Sequence, residues 1–279
     1  MKALEKSSAS SGAVGILVTP GSNSDEWLSR ARAFQDASTC RSVHISLSVD
    51  EAMTMQVDEW LVILAATPDA TPEFHANQTR DLSRLFSRSV EIGAACRVLG
   101  VGDGTEKTST IDDAFLRTDL VSQTSSTAAN EALRLFGDHG PLTPIAFDLL
   151  RLNEKRLVVH EPFATFDLTG RPDVLAWGPH MTLPEGQWRL AIAFEVDRAA
   201  AAQGLAFEWG SLDSHERHEV SLGRAGRYDI ALDGHWNTTA IAEFRLSAAH
   251  AVFSGNIRLI SVAIGRAPTA RAHAALSQL

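Results

Sequence analysis

Between residues 188 and 196 the chain alternates strictly. Trp188, Leu190, Ile192, Phe194 and Val196 fall on one side of an extended backbone, and Arg189, Ala191, Ala193 and Glu195 on the other. A period of two marks a strand with one face in a core and one near water. Segments of this kind recur about every 10 residues. They predict strands at 165–168, 174–177, 188–196, 205–209, 218–222, 228–232, 241–246 and 257–264. Turn material separates them: Gly170-Arg171-Pro172, Leu183-Pro184-Glu185-Gly186, residues 223–226 and Asp233-Gly234.

The first half has another rhythm. An apolar run at 13–19 is followed by the turn Pro20-Gly21-Ser22. Asn23 or Ser24 then caps a helix over 25–37, with Glu26 completing a capping box and Trp27, Ala31 and Phe34 on one stripe. Strands are predicted at 43–47 and 60–65. Thr71-Pro72-Glu73 opens a second helix that runs to about residue 89, with Leu82, Leu85 and Phe86 as its apolar stripe. A fourth strand at 97–101, a short one at 120–122 and a helix over 127–136 follow. Alternation of strand and helix predicts a parallel sheet covered by helices. A short helix at 145–152 and an extended stretch at 156–160 connect the halves.

The predicted organisation is therefore α/β followed by all-β. Residues 1–12 are a disordered lead-in and 13–150 a Rossmann-like parallel-sheet domain. Residues 151–164 are a linker, 165–266 a jelly-roll β-sandwich and 267–279 a tail.

Composition narrows the function classes. A net charge of −9 opposes a broad nucleic-acid or anionic-membrane surface, since both need clustered positive charge. The start lacks an apolar signal core, and no apolar run approaches the roughly 20 residues of a membrane span. The default localisation is cytoplasmic, with surface association by another route left open. Cys40 and Cys96, the two cysteines, read as buried free thiols rather than a disulfide or a zinc site.

Three patterns could carry chemistry. The glycine-rich loop Leu99-Gly100-Val101-Gly102-Asp103-Gly104 follows a predicted strand. It could present the backbone of Gly100, Gly102 and Gly104 to a diphosphate, although a plain turn explains the same residues. His215-Glu216-Arg217-His218-Glu219 is not HExxH. On a strand its histidines, three apart, face opposite sides, so no metal is assigned. No nucleophile motif stands out, and no catalytic residue or cofactor is assigned.

The third pattern is aromatic. Trp177, Trp188, Trp209 and Trp236, four of the six tryptophans, lie in the β-rich third. Trp188 and Trp209 belong to apolar faces and are expected in the core. Trp177, before Gly178-Pro179-His180, and Trp236, after Asp233-Gly234-His235, sit near predicted turns, where loops carry recognition. With His180, Asp213 and His235 they make a candidate sugar site, the indoles stacking on C–H faces and the polar groups meeting hydroxyls. Packing at strand ends is the alternative.

Two resemblances add to this. The stretch Trp177-Gly178-Pro179-His180-Met181-Thr182-Leu183-Pro184-Glu185-Gly186-Gln187-Trp188 resembles a pattern of jelly-roll carbohydrate-binding modules, where such a segment leads into a long strand. Phe253-Ser254-Gly255-Asn256-Ile257 and the residues after it resemble their closing strand. The likeness covers about 100 residues; its residues make turns and core and carry over no binding site. Such modules often hold structural calcium, for which no ligand set is identified here. Asp119 to Gly137 resembles the C-terminal Rossmann half of two-domain glycosyltransferases, which implies ligand roles for Ser125, Ser126 and Glu131. No second Rossmann domain and no basic residue suited to a diphosphate accompany it.

These readings favour a non-catalytic carbohydrate-binding or surface-glycan-associated protein. A nucleotide-sugar-dependent transferase with its site in the α/β half is the alternative. A protein–protein module of a larger assembly is a third.

Overall fold

The structure, a computed structural model, describes residues 12–38, 41–65, 67, 69–99, 133–136 and 142–267. The chain divides into two compact units, Met1–Asp69 with Arg88–Ser126, and Ala70–Ser87 with Thr127–Leu279.

In the first unit, strands β1 (Val14–Val18), β2 (Val43–Ser46), β3 (Glu59–Ile63) and β4 (Ala95–Leu99) form a parallel sheet in the order β2-β1-β3-β4. β1 is buried along its whole length, as interior parallel strands are. Gly15 is required there, because a Cβ would stand 2.5 Å from the ring of Trp60, its partner on β3. Helix α1 (Ser24–Ala37) contributes Trp27 and Ala31 to a core with Val14, Ile16 and Val18, and Phe34 packs against it. The predicted stripe is thus the buried one. The predicted cap is not made: Asn23 occupies the N-cap without a side-chain capping bond, and the Ser24 hydroxyl donates to the Gly21 carbonyl at 2.9 Å. A single turn, α2 (Val49–Ala52), follows β2. Cys96 on β4 is a free cysteine. Burial pushes its pKa up to about 12, against a hydrogen bond from Ser89. It is held as an inert thiol.

The second unit begins with helix α3 (Pro72–Ile92), whose residues through Ser87 belong to it. The helix starts as the sequence requires, with Pro72 in the first turn and the Thr71 hydroxyl accepting the Phe74 N–H at 3.2 Å. The rest is a β-sandwich. Its strands are β5 (Thr143–Ile145), β6 (Arg151–Leu152), β7 (Leu157–Val159), β8 (Ala164–Asp167), β9 (Val174–Leu183) and β10 (Gly186–Val196). They continue with β11 (Gly204–Ser211), β12 (Ser214–Ser221), β13 (Gly226–Trp236), β14 (Ala240–Ala248) and β15 (Asn256–Arg266).

One antiparallel sheet runs β13-β10-β15-β8-β7, with β5 also paired to β15; the other runs β12-β11-β14-β9-β6. The alternation of β10 turns Trp188, Leu190, Ile192, Phe194 and Val196 inward, all at 3% exposure or less. They meet Leu205, Phe207, Trp209, Phe244 and Leu246 of the second sheet in one core. Phe194 and Phe207 touch across it, ring centroids 5.3 Å apart. Between β10 and β11 a turn of helix, α4 (Arg198–Ala201), is capped by Asp197, whose carboxylate accepts the Ala200 N–H at 2.7 Å.

Two expectations are corrected. Residues 145–152 are not a helix: β5, a 3-10 turn at Phe147–Leu149 and β6 replace it, so this stretch supplies strands to both sheets. Asp233-Gly234 is not a turn but lies inside β13, which continues to Trp236. No helix among the described residues is long and apolar enough to cross a membrane.

Candidate functional site

The outer face of the five-stranded sheet carries a transverse row of side chains in register. Arg151 on β6 pairs with Trp177 on β9, Trp177 with Arg245 on β14, Arg245 with Glu208 on β11, and Glu208 with Arg217 on β12. Directly paired residues share a face. Their sequence neighbours Ala176, Leu246 and Phe207 are buried in the core, so the row faces away from it. Trp177 is only partly buried. An indole on the outer face therefore stands between two guanidinium groups.

Helix α3 lines this face with Asn77 and Arg80. The result is an open cleft of about 640 Å³, lined by these two residues and by Arg151, Asn153, Asp173, Val174, Trp177, His180, Glu243 and Arg245. Arg80 is fixed from three sides. Its Nε donates to the Pro179 carbonyl at 2.9 Å, Nη1 to Asn77 Oδ1 at 3.0 Å and Nη2 to the Leu149 carbonyl at 3.2 Å. Two serines secure the helix alongside. The Thr182 N–H donates to Ser83 Oγ at 2.8 Å, and Ser87 Oγ donates to the Thr182 carbonyl at 2.8 Å.

The turn of β9 that aims His180 needs unusual backbone. Gly178 has φ 129° and a Cβ there would lie 3.0 Å from the Leu149 carbonyl, so only glycine fits. His180 itself has φ 60°, a left-handed conformation that costs a non-glycine residue roughly 1–2 kcal/mol. A hydrogen bond offsets this: His180 Nε2 lies 2.9 Å from Glu243 Oε2. A carboxylate can only accept, so Nε2 carries the proton. Glu243 is 2% exposed. Its other oxygen is bonded by Arg245 Nε, and His215 Nε2 stands 4.0 Å away.

The electrostatics follow from burial. Burial lowers the pKa of His180 from its ordinary value; Glu243 opposes the shift, and Arg80 and Arg151 reinforce it. The ring is neutral at pH 7. The unfolded chain then binds the histidine proton at a higher pH than the folded one, so stability falls as pH drops from about 6.5 toward the folded value and is flat below it. Melting temperatures recorded across that window should slope more steeply for the wild type than for His180→Gln; parallel slopes would contradict the assignment. Burial, then the charge of Arg151, also draws Arg80 below its ordinary value, while Glu73 and Asp81 pull the other way.

The sequence-derived candidates do not form one site. Trp177 and His180 come together in the cleft. Asp213 is exposed in the two-residue turn between β11 and β12. His235 is exposed on β13, in the other sheet, where Gln187 Nε2 donates to its Nδ1 at 2.9 Å. Trp236, expected at a turn and partly exposed, is 2% exposed and packs on Trp209 with ring centroids 5.1 Å apart. It is a core residue. Gly100, Gly102, Gly104, Ser125, Ser126 and Glu131 lie outside the described residues. His215 to Glu219 lies within β12, where a strand was expected only from His218 and a polar loop before it. Among the described residues no three His, Cys, Asp or Glu side chains are grouped to hold a metal.

Sequence reading missed Arg80, Arg151, Glu243 and Arg245. Glu243 and Arg245 had a signal: within the strand predicted at 241–246 they alternate with buried Ala242, Phe244 and Leu246, which marks them as one polar face.

No family model matches the chain, and no curated protein matches it. Solved structures similar to it include TmCBM61 in complex with β-1,4-galactotriose, at 11% identity over 47% of this chain and 92% of that one, with a TM-score of 0.33. A family 16 carbohydrate-binding module is similar at 8% identity over 44% and 84%, TM-score 0.29. The xylan-binding module CBM15 is similar at 16% identity over 47% and 99%, TM-score 0.30.

Proposed function

We propose that this chain binds carbohydrate in the cleft on the outer face of the five-stranded sheet. The observation that carries the reading is the placement of Trp177, a half-buried indole on a polar outer face, in register between Arg151 and Arg245. A pyranose has an apolar C–H face and a rim of hydroxyls. It needs a flat apolar platform with donors and acceptors around it, which is the general form of a small-molecule site. Asn77, Asn153, His180 and the arginines supply the rim.

The carboxylates favour binding over hydrolysis. Glycoside hydrolysis needs two carboxyl groups free to act as acid and base or nucleophile. In this cleft Glu243 is held by Arg245 and His180. Asp173 accepts from Asn153 Nδ2 at 3.0 Å and from the Val174 N–H at 2.9 Å. Both are committed to structure.

The test is a glycan array probed with the full chain. Retention on one or more pyranose polymers is expected. A blank array across neutral and acidic polymers would remove the reading.

A further inference from the structure

We infer that the sugar this cleft takes is acidic: a hexuronate residue of a polysaccharide, its ring on Trp177 and its carboxylate held by Arg151 and Arg80. The inference rests on the carbohydrate reading above and deepens it.

The charges of the cleft carry the argument. Five fixed ionisable groups line it, three arginines and two carboxylates. Both carboxylates are occupied as described. Arg245 is occupied too, bonded to Glu243 and 3.6 Å from Glu208. Glu208 in turn binds Arg217 at 2.9 Å. The two cations left over are Arg80 and Arg151. Arg80 is held only by neutral acceptors, two backbone carbonyls and an amide oxygen. A guanidinium has five N–H donors, so its three bonds leave two donors unspent. The Arg151 side chain, exposed at the β6 edge of the sheet, has no hydrogen-bond or ion-pair partner among the described residues, while its backbone pairs with Trp177.

Arg151 acts on Arg80 as a like charge, which Glu73 and Asp81 oppose from outside the cleft, and neither carboxylate lining the cleft is bonded to either arginine. The chain as a whole carries −9, so a surplus of positive charge here is not its general surface character. A bound anion would relieve the repulsion. Guanidinium forks match planar carboxylates in two-point contacts. Arg151 is the direct register partner of Trp177, so the anion and the stacking platform belong to the same row. A carboxylate fixed to a pyranose ring presents both features in one residue, which a free inorganic anion does not.

The experiment is calorimetric titration of the full chain with oligogalacturonate and with alginate oligomers, each beside its carboxyl-reduced form. At least one acid oligomer should bind 10-fold or more tighter than its reduced form, with an affinity that falls as NaCl rises. Arg151→Gln should bring that ratio close to one, and a melting curve checks that the variant is folded. Inorganic sulfate should compete only weakly. Equal binding of acid and reduced forms overturns the inference while leaving the carbohydrate reading in place. So does an array that retains neutral polymers alone, or competition by sulfate at the oligomer's own concentration. An array blank for every polymer removes the carbohydrate reading first, and this inference with it.

Discussion

Trp188→Ala should destabilise the protein by about 3–5 kcal/mol, the usual loss when a large aromatic is cut from a packed core. Trp188 is 1% exposed and opens the inward face of β10. Its indole N–H donates to the Pro184 carbonyl at 2.9 Å, and the Arg266 guanidinium lies 4.1 Å over its ring. Truncation removes the apolar contacts, leaves a cavity and orphans a buried carbonyl. Arg266 also loses the ring that covers it, a contact worth about 0.5–1 kcal/mol at exposed sites. The expected drop in Tm is roughly 10 °C at 2–4 °C per kcal/mol. An unchanged melting temperature would mean that the inward and outward faces of β10 had been exchanged.

Glu243→Ala is the second large effect. Removing one partner of a buried ion pair costs about 3–5 kcal/mol because the other charge is left without compensation. The lower figure is expected, since Arg245 is 37% exposed and keeps Glu208. His180 would also lose the bond that offsets its left-handed backbone. Glu243→Gln keeps an acceptor in place and should cost less than the alanine variant. Denaturant titration of both variants checks the order; losses near zero in both would show that the carboxylate's bonds to Arg245 and His180 contribute little.

The sandwich was legible wherever a strand was long enough to show its period. β10 alternates through the nine residues from Trp188 to Val196, and the face expected to point inward is the buried one. β5 and β6 have three and two residues, too few for any periodicity. Their strand state comes from pairing with β15 and β9, which is tertiary information. Asp233-Gly234 misled for a different reason. Asp-Gly is a strong hairpin signal, but this glycine answers to packing. A Cβ on Gly234 would lie 2.6 Å from the Trp236 ring and 3.0 Å from Trp209 Nε1. The strand therefore runs straight through the dipeptide and carries Trp236 into the core.

The cleft was half legible. Trp177 and His180 are close in sequence and share one strand. Arg80 reaches the same cleft from 99 residues before the carbonyl it bonds, on a helix read only for its apolar stripe. Arg151 lies where the predicted helix at 145–152 overlaps the predicted linker at 151–164. Asp213 and His235 were grouped with Trp177 by residue type, and the sheet order separates them from it.

The most direct test is the effect of Trp177→Ala on the affinity for a glycan retained by the wild-type chain, with stability measured on the same sample. Base–aromatic stacking, as a rough analogue, gives about 1–3 kcal/mol per ring, a weakening of roughly 5- to 150-fold. The account predicts that loss by calorimetry with a nearly unchanged melting temperature, because the indole is on the outer face and outside the core. Undiminished affinity in a folded Trp177→Ala protein would contradict it and move the glycan elsewhere on the molecule.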